Sequence, residues 1–266
     1  MLTTTRPFGA LLRDWRERRR LSQLSLAGEA RISTKHLSFL ETGRSQPSRD
    51  MIMRLSEELE IPLRERNALL AAAGYAAIYP QRPLEDEALS GARAAISAVV
   101  DGHMPHPALA VDRHWRLIAA NAAVAALLEG VDRSLLEPTA NVLRLSLHPR
   151  GLAPRIKNLR AWREHLLSRL RHQIEATADR ELASLLEELT AYPVSEAAAA
   201  APDIVRGFTD VAIPLELETK AGVLRLLSTT TVFGTPLDVT LSEIAIEAFF
   251  PADAETARML SYQPKS

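Results

Sequence analysis

Phe8, Leu11, Leu12 and Trp15 stand at i, i+3, i+4 and i+7, the spacing that lines four apolar side chains along one stripe of an α-helix. Helix signals then follow quickly. Ser22 is placed to cap a short helix carrying Leu24, Leu26 and Ala27, and Ser33 to cap a third helix that runs to Glu41 and stops at Gly43. Ser48 opens a fourth, with Ile52, Leu55 and Leu59 inward, and Pro62 and Gly74 frame a fifth. Short connections between five short helices predict a compact all-α domain.

The pattern changes after Gly74. "YAAIYPQRPLED" replaces helical periodicity with Tyr and Pro and reads as a connector. A helix over "EDEALSGARAAISAVVDG" follows, then a hairpin with strands at 108–111 and up to Ala120, then a helix at 122–128. "APRIKNLRAWREHLLSRLRHQIEATAD" reads as one long helix with Ile156, Leu159, Leu166, Leu167 and Leu170 for packing, and "PVSEAAAAAPD" as a low-complexity loop. Val211, Ile213, Leu215 and Leu217 alternate with other residues at period two, and Pro214 among them argues for an edge strand. "GVLRLLSTTTVFG" and "LDVTLSEIAIEAFFPAD" supply two more strands. The economical architecture is α+β: a five-stranded antiparallel sheet with helices crossing one face, the shape of a PAS-like sensor.

On a wheel of about 100° per residue, the third helix divides into two faces. Thr34, Lys35, Ser38 and Phe39 share one; Leu37 and Leu40 share the other; His36 and Glu41 lie at the borders. A small, polar, cationic outer face is what a DNA major groove admits. Phe39 is the odd member, placed to meet a thymine methyl or to fold back onto the domain. "SQLSLAGEARISTKHLSFLETGRSQPSRDMIMRLSEELEIP" resembles the helix-turn-helix of the lambda-repressor/Cro (XRE-type) class, through Gln23, Ala27, Ile32, Leu37, Leu40, Glu41, Gly43 and Pro47. The resemblance implies that Gln23 meets a phosphate or flanking base and that Thr34, Lys35 and Phe39 occupy base-facing positions, with Ser38 close by. It implies that Arg44 and the Ser45–Ser48 loop touch DNA backbone, and that Arg16 and Glu41 form a structural ion pair. Arg31 departs from the pattern: the class has Gly there, so a side chain must tolerate a left-handed backbone.

Charge supports a polyanionic partner for this end. Residues 1–80 hold 13 Lys and Arg against 9 Asp and Glu, whereas the remainder holds 19 against 24, an imbalance hidden in the net charge of −1. Apolar content of 47% supports real cores, and the longest nearly apolar run, 117–128 with Asn121 in it, is too short to cross a bilayer. The absence of cysteine excludes disulfides and thiolate chemistry and suits a cytoplasmic location. The N-terminus has no apolar segment of the kind a secretory signal needs.

The second half resembles the MmyB-like ligand-binding domain. The resemblance rests on "PLRERNALLAAAGYAAIYP", "ALAVDRHWRLIAAN", "NVLRLSLHPRGLAPRI" and "STTTVFGTPLDVTLSEIAIEAFFPAD". It implies a PAS-like pocket for an apolar small molecule, with fatty acids as the leading class and no other cofactor. It divides the chain into a DNA-binding domain at 1–76, a linker at 77–86, a ligand-binding domain at 87–256 and a tail at 257–266. Asn121, Arg144, His148, Arg155 and Asn158 are the polar candidates for holding a head group, and Trp115, Trp162 and Phe233 the candidates for a wall. Each has an ordinary structural reading beside it: helix-end hydrogen bonds for the polar residues, core packing for the tryptophans.

Catalysis finds no support. There is no phosphate loop, dinucleotide turn or nucleophile elbow. His103 and His106 lack a third ligand nearby, and His165 and His172 are two turns apart, which leaves no metal site. The expectation is a transcriptional regulator that binds double-stranded DNA as a homodimer, because one recognition helix reads only a half-site. The rival expectation keeps the DNA-binding head and makes the second domain a ligand-free dimerisation or interaction module.

Overall fold

A computed structural model describes residues 6–193, 213–233 and 238–261. Most of "PVSEAAAAAPD", together with Val211 and Ala212, lies outside the described residues. The chain divides into two compact units, parting near Arg82.

Residues 8–72 of the first unit form five helices: α1 (Phe8–Arg18), α2 (Gln23–Glu29), α3 (Thr34–Glu41), α4 (Arg49–Glu58) and α5 (Leu63–Ala72). The three serines mark three starts. Ser22, Ser33 and Ser48 accept hydrogen bonds from the backbone N–H of Ser25, His36 and Met51. Each cap satisfies an N–H that the helix cannot, a contribution of about 1 kcal/mol. The ends are less legible. All five helices close through a residue at positive φ: Gly43 and Gly74 as expected, but also Arg20, Arg31 and Glu60. At α2 the Ile32 N–H donates to Ala27 O at 2.9 Å and the Arg31 N–H to Gly28 O at 3.2 Å. That is the Schellman closure, with arginine (φ 53°) where glycine is usual.

Phe8, Leu12, Trp15, Leu26, Leu37, Leu40, Ile52, Leu55 and Leu59 are buried as the periodicity predicts, but Leu24 points outward at 73% exposure. Gly9 sets how closely α1 and α3 approach. A Cβ there would lie 2.4 Å from the Glu41 carbonyl oxygen and 2.5 Å from that of Leu40.

The second unit holds α6 (Ser90–Gly102), α7 (Ala122–Leu127), α8 (Val142–Leu147), α9 (Leu159–Thr177), α10 (Arg180–Ala191) and a final helix, Ala254–Ser261. Its strands are β1 (Ala108–Val111), β2 (Leu117–Ala120), β3 (Leu215–Thr219), β4 (Gly222–Val232) and β5 (Ala245–Pro251). They form one antiparallel sheet ordered β2-β1-β5-β4-β3, with β3 at the edge where Pro214 can be accommodated.

Alternation assigns the faces. Leu109, Val111, Leu215, Leu217, Leu224 and Leu226 join one core with Trp162, Leu166 and Leu170 of α9 and Leu182, Leu185 and Leu189 of α10. Ala108, Ala110 and Ile246 are buried on the opposite face, and α6 packs on β1 and β2, burying Ile96 and Val100. Helices therefore cover both faces, not one. The expected long helix is also shorter. Ile156 bridges to Leu217, and Asn158 spends its side chain on the β3 approach, donating to Pro214 O at 2.7 Å and accepting from Glu216 N–H at 3.1 Å. Helix α9 thus begins only at Leu159, and ends at Ala178 (φ 60°) before Asp179 caps α10.

Gly9→Ala is expected to force α1 and α3 apart and to destabilise the first unit by about 1–3 kcal/mol. Chemical denaturation of the full chain, followed by circular dichroism, measures this.

Candidate functional site

Two features merit a functional reading, one in each unit. In the first unit, Glu41 at the end of α3 is only 2% exposed at its side chain. Its carboxylate accepts from Arg16 Nε at 2.6 Å, Arg16 Nη2 at 3.1 Å and Gln23 Nε2 at 2.8 Å. Arg16 also donates to Leu21 O at 2.9 Å, and the Glu41 hydrogen bond holds its pKa above the usual arginine value. One carboxylate thereby ties α1, α2 and α3 together.

With Leu37 and Leu40 buried, Thr34, Lys35, Ser38 and Phe39 are left on the outer side of α3. Phe39 does not fold back into the core. It is partly exposed, with Lys35 Nζ at 5.6 Å and Arg44 Cζ at 5.9 Å from its ring centroid. Each cation–π contact at an exposed site is worth about 0.5–1 kcal/mol. The ring therefore gathers two cations beside it. Gln23, expected to meet a phosphate or flanking base, donates its amide N–H to Glu41, because a buried carboxylate needs donors.

The second unit contains a cavity of about 90 Å³ between the sheet and α7–α9. Its wall is mostly apolar: Leu109, Leu117, Val124, Leu127, Leu143, Leu166 and Phe249, with Trp115 and Trp162. Trp115 sits in the hairpin at φ 66°, and its indole N–H donates to Gln173 Oε1 at 2.8 Å. The Trp162 N–H donates to Ser146 Oγ at 2.9 Å, and its ring stacks on His165 at 5.5 Å. Burial first, and the charge of Arg169 second, hold the His165 pKa below its usual range.

The polar residues of the lining are Ser146, Arg169, Ser228 and Glu247. Arg169 on α9 makes a two-pronged bond to Glu247 on β5, at 2.8 Å and 3.2 Å, and donates to Thr230 Oγ1 at 2.8 Å. Thr230, directly across the ladder from Glu247, donates to the same carboxylate at 2.8 Å. The Trp115 ring lies 5.0 Å under the guanidinium.

Of the candidates read from the sequence, only Trp115 and Trp162 line the cavity. Asn121 is 2% exposed and ties loops together, donating to Val100 O and His106 O and accepting from Ala108 N–H. Arg144 pairs with Glu188 through two bonds of 2.7 Å and 2.8 Å. His148 accepts the Arg150 N–H and meets the Tyr192 ring edge-on. Arg155 donates to Leu127 O, Asn158 serves β3, and Phe233 lies past the end of β4, outside the lining. The five polar candidates are thus spent on backbone and ion-pair bonds that a linear pattern does not display.

Arg169 and Glu247 were missed, yet both left a trace. Trp162, Leu166, Arg169 and Gln173 follow i, i+4, i+7 and i+11 along one stripe, so Arg169 interrupts an inward-facing row. Glu247 stands in "AIEAFF" on the same alternating face as Phe249.

Comparison with known families gives two matches. A family model described as the MmyB-like transcription regulator ligand binding domain matches residues 92–262. A model described as a helix-turn-helix domain matches residues 7–69. No curated protein matches the chain.

Glu41→Ala strands the Arg16 guanidinium in the first unit's interior and is expected to cost about 3–5 kcal/mol of stability. Lys35→Ala, on the exposed face, is expected to cost no more than about 1 kcal/mol, the worth of its contact with the Phe39 ring. Thermal and urea denaturation of the two variants distinguish a brace from a surface contact.

Proposed function

The chain belongs to the MmyB-like transcription regulators, a helix-turn-helix head joined to a ligand-binding domain, and on that premise we propose that it is a one-component sensor of a hydrophobic small molecule. The observation that carries the proposal is the pairing, in one chain, of a cationic outer helix face with an internal apolar cavity. In this reading Thr34, Lys35, Ser38 and Phe39 enter the major groove of double-stranded DNA, and Arg44 contacts phosphate. Gln23 acts chiefly by bracing α2 against Glu41. The protein works in the cytoplasm as a homodimer, so that two recognition helices read two half-sites.

The effector is fatty-acid-like in having an alkyl or acyl chain that replaces empty space among Leu, Val and Trp side chains. The cavity of about 90 Å³ is well below the roughly 300–1,000 Å³ of a drug-sized site. A chain of any length must therefore enlarge it, which makes the ligand selective for an expanded state. Such differential affinity is what a ligand needs to shift a conformational equilibrium.

The small cavity also favours a second reading, in which the domain is a filled interaction module without a ligand. Native mass spectrometry of the purified protein separates the two: a co-purified lipid-like mass supports the sensor, and a bare polypeptide mass supports the module.

Fluorescence anisotropy with operator DNA tests the head. Affinity is expected to fall on the order of 10³-fold between about 50 and 200 mM salt, as phosphate contacts release counterions. Substituting Thr34 or Lys35 is expected to relax base preference by about 1–3 kcal/mol at one position. Affinity that ignores salt would remove DNA binding from the proposal.

A further inference from the structure

We propose that Arg49 is a second phosphate-binding arginine, after Arg44, at the loop that follows α3. Phe39 and Tyr75 are positioning residues: each orders one of the two guanidinium groups without neutralising it. This rests on the DNA-binding reading given above. It adds two residues outside the outer face of α3, and Tyr75 lies beyond the residues matched as a helix-turn-helix domain.

Lys35, Arg44 and Arg49 are all exposed. Among the described residues, none of the three is ion-paired with a carboxylate. Earlier in the unit, Arg6, Arg13 and Arg16 are paired with Asp14, Glu17 and Glu41. The three later cations have aromatic partners instead. Lys35 Nζ and Arg44 Cζ lie 5.6 Å and 5.9 Å from the centre of the Phe39 ring, and Arg49 Cζ lies 5.8 Å from that of Tyr75.

That difference matters to an anion. A carboxylate that orders an arginine also cancels its charge. A ring attracts the cation through its quadrupole and leaves the full positive charge for a phosphate. An ordered side chain also has less freedom to lose on binding, a loss that otherwise costs roughly two- to tenfold in affinity for each side chain immobilised.

Both rings are rooted in the backbone they serve. The Phe39 carbonyl accepts from the Arg44 N–H at 2.8 Å and the Ser45 N–H at 3.2 Å, so ring and main chain of one residue hold Arg44. Tyr75 stands just past the end of α5, where its N–H donates to Leu70 O at 2.9 Å. Its hydroxyl donates to Pro47 O at 3.0 Å. Pro47 is buried and Ser48 caps α4, which sets Arg49 as the first residue of that helix. Tyr75 thus fixes the end of the loop with its hydroxyl and the arginine beyond it with its ring.

The test is fluorescence anisotropy of the full chain with a labelled duplex of random sequence over a range of salt, because phosphate contacts carry no sequence information. Arg49→Ala is expected to make the slope of log affinity against log salt shallower by about one. A slope equal to the native one overturns the assignment of Arg49. Tyr75→Leu is expected to weaken binding roughly two- to tenfold, and Tyr75→Phe, which keeps the ring, to stay within about twofold of native. Tyr75→Phe losing as much as Tyr75→Leu overturns the role of the ring. In an Arg49→Ala background Tyr75→Leu is expected to have no further effect, and Phe39→Leu is expected to lose less in Arg44→Ala than in the native protein. Losses that are the same with and without the arginine mean that the rings only support the fold, and overturn the positioning role. If Tyr75→Leu does not fold by circular dichroism, the Arg49→Ala slope and the Phe39 cycle decide. Native protein without salt-dependent binding removes the DNA-binding reading itself, before any variant is compared, and this proposal with it.

Discussion

A charge that leaves water must be met by an opposite charge and by enough hydrogen bonds to replace its hydration, and each unit is organised around one such obligation. In the first unit the obligation is Glu41, whose two oxygens are shared by Arg16 and Gln23 from two other helices. In the second it is Glu247, held by Arg169 from the covering helix and Thr230 from the neighbouring strand. The apolar residues supply most of the driving force for collapse. The ion pairs add what hydrophobic contact cannot, a fixed angular relation between elements. In one unit that relation orients α3; in the other it fixes α9 against β5 beside a cavity.

The same kind of pair has opposite consequences in the two places. Arg16 and Glu41 are withdrawn from the outer face of α3, so they leave its chemistry to Lys35, Arg44 and the small hydroxyls around Phe39. Arg169 and Glu247 remain paired among the residues that line the cavity.

The first unit was largely legible from sequence, because its determinants are local. Serine caps, a four-residue apolar stripe and the division of α3 into two faces all lie within single helices. What escaped there was the closure of helices by Arg20, Arg31 and Glu60, since a left-handed non-glycine residue leaves no compositional mark. The sheet was legible from alternation and from Pro214. Its polar chemistry was not. Asn121, Arg144 and Asn158 looked available for a ligand and are consumed by partners up to 58 positions away, whereas Arg169 meets Glu247 across 78. Periodicity can say that a residue faces inward, but only the fold says whom it meets.

Gly9 lets the backbone of α1 lie almost against the last carbonyls of α3, so that main-chain contact, together with Leu37, Leu40 and Glu41, sets where that helix stands. None of these determinants belongs to the outer face. The seat of the helix and its vocabulary are therefore separate parts of the molecule. Residues 34, 35, 38 and 39 can be rewritten as a block, by evolution or by an engineer, without renegotiating the fold that presents them.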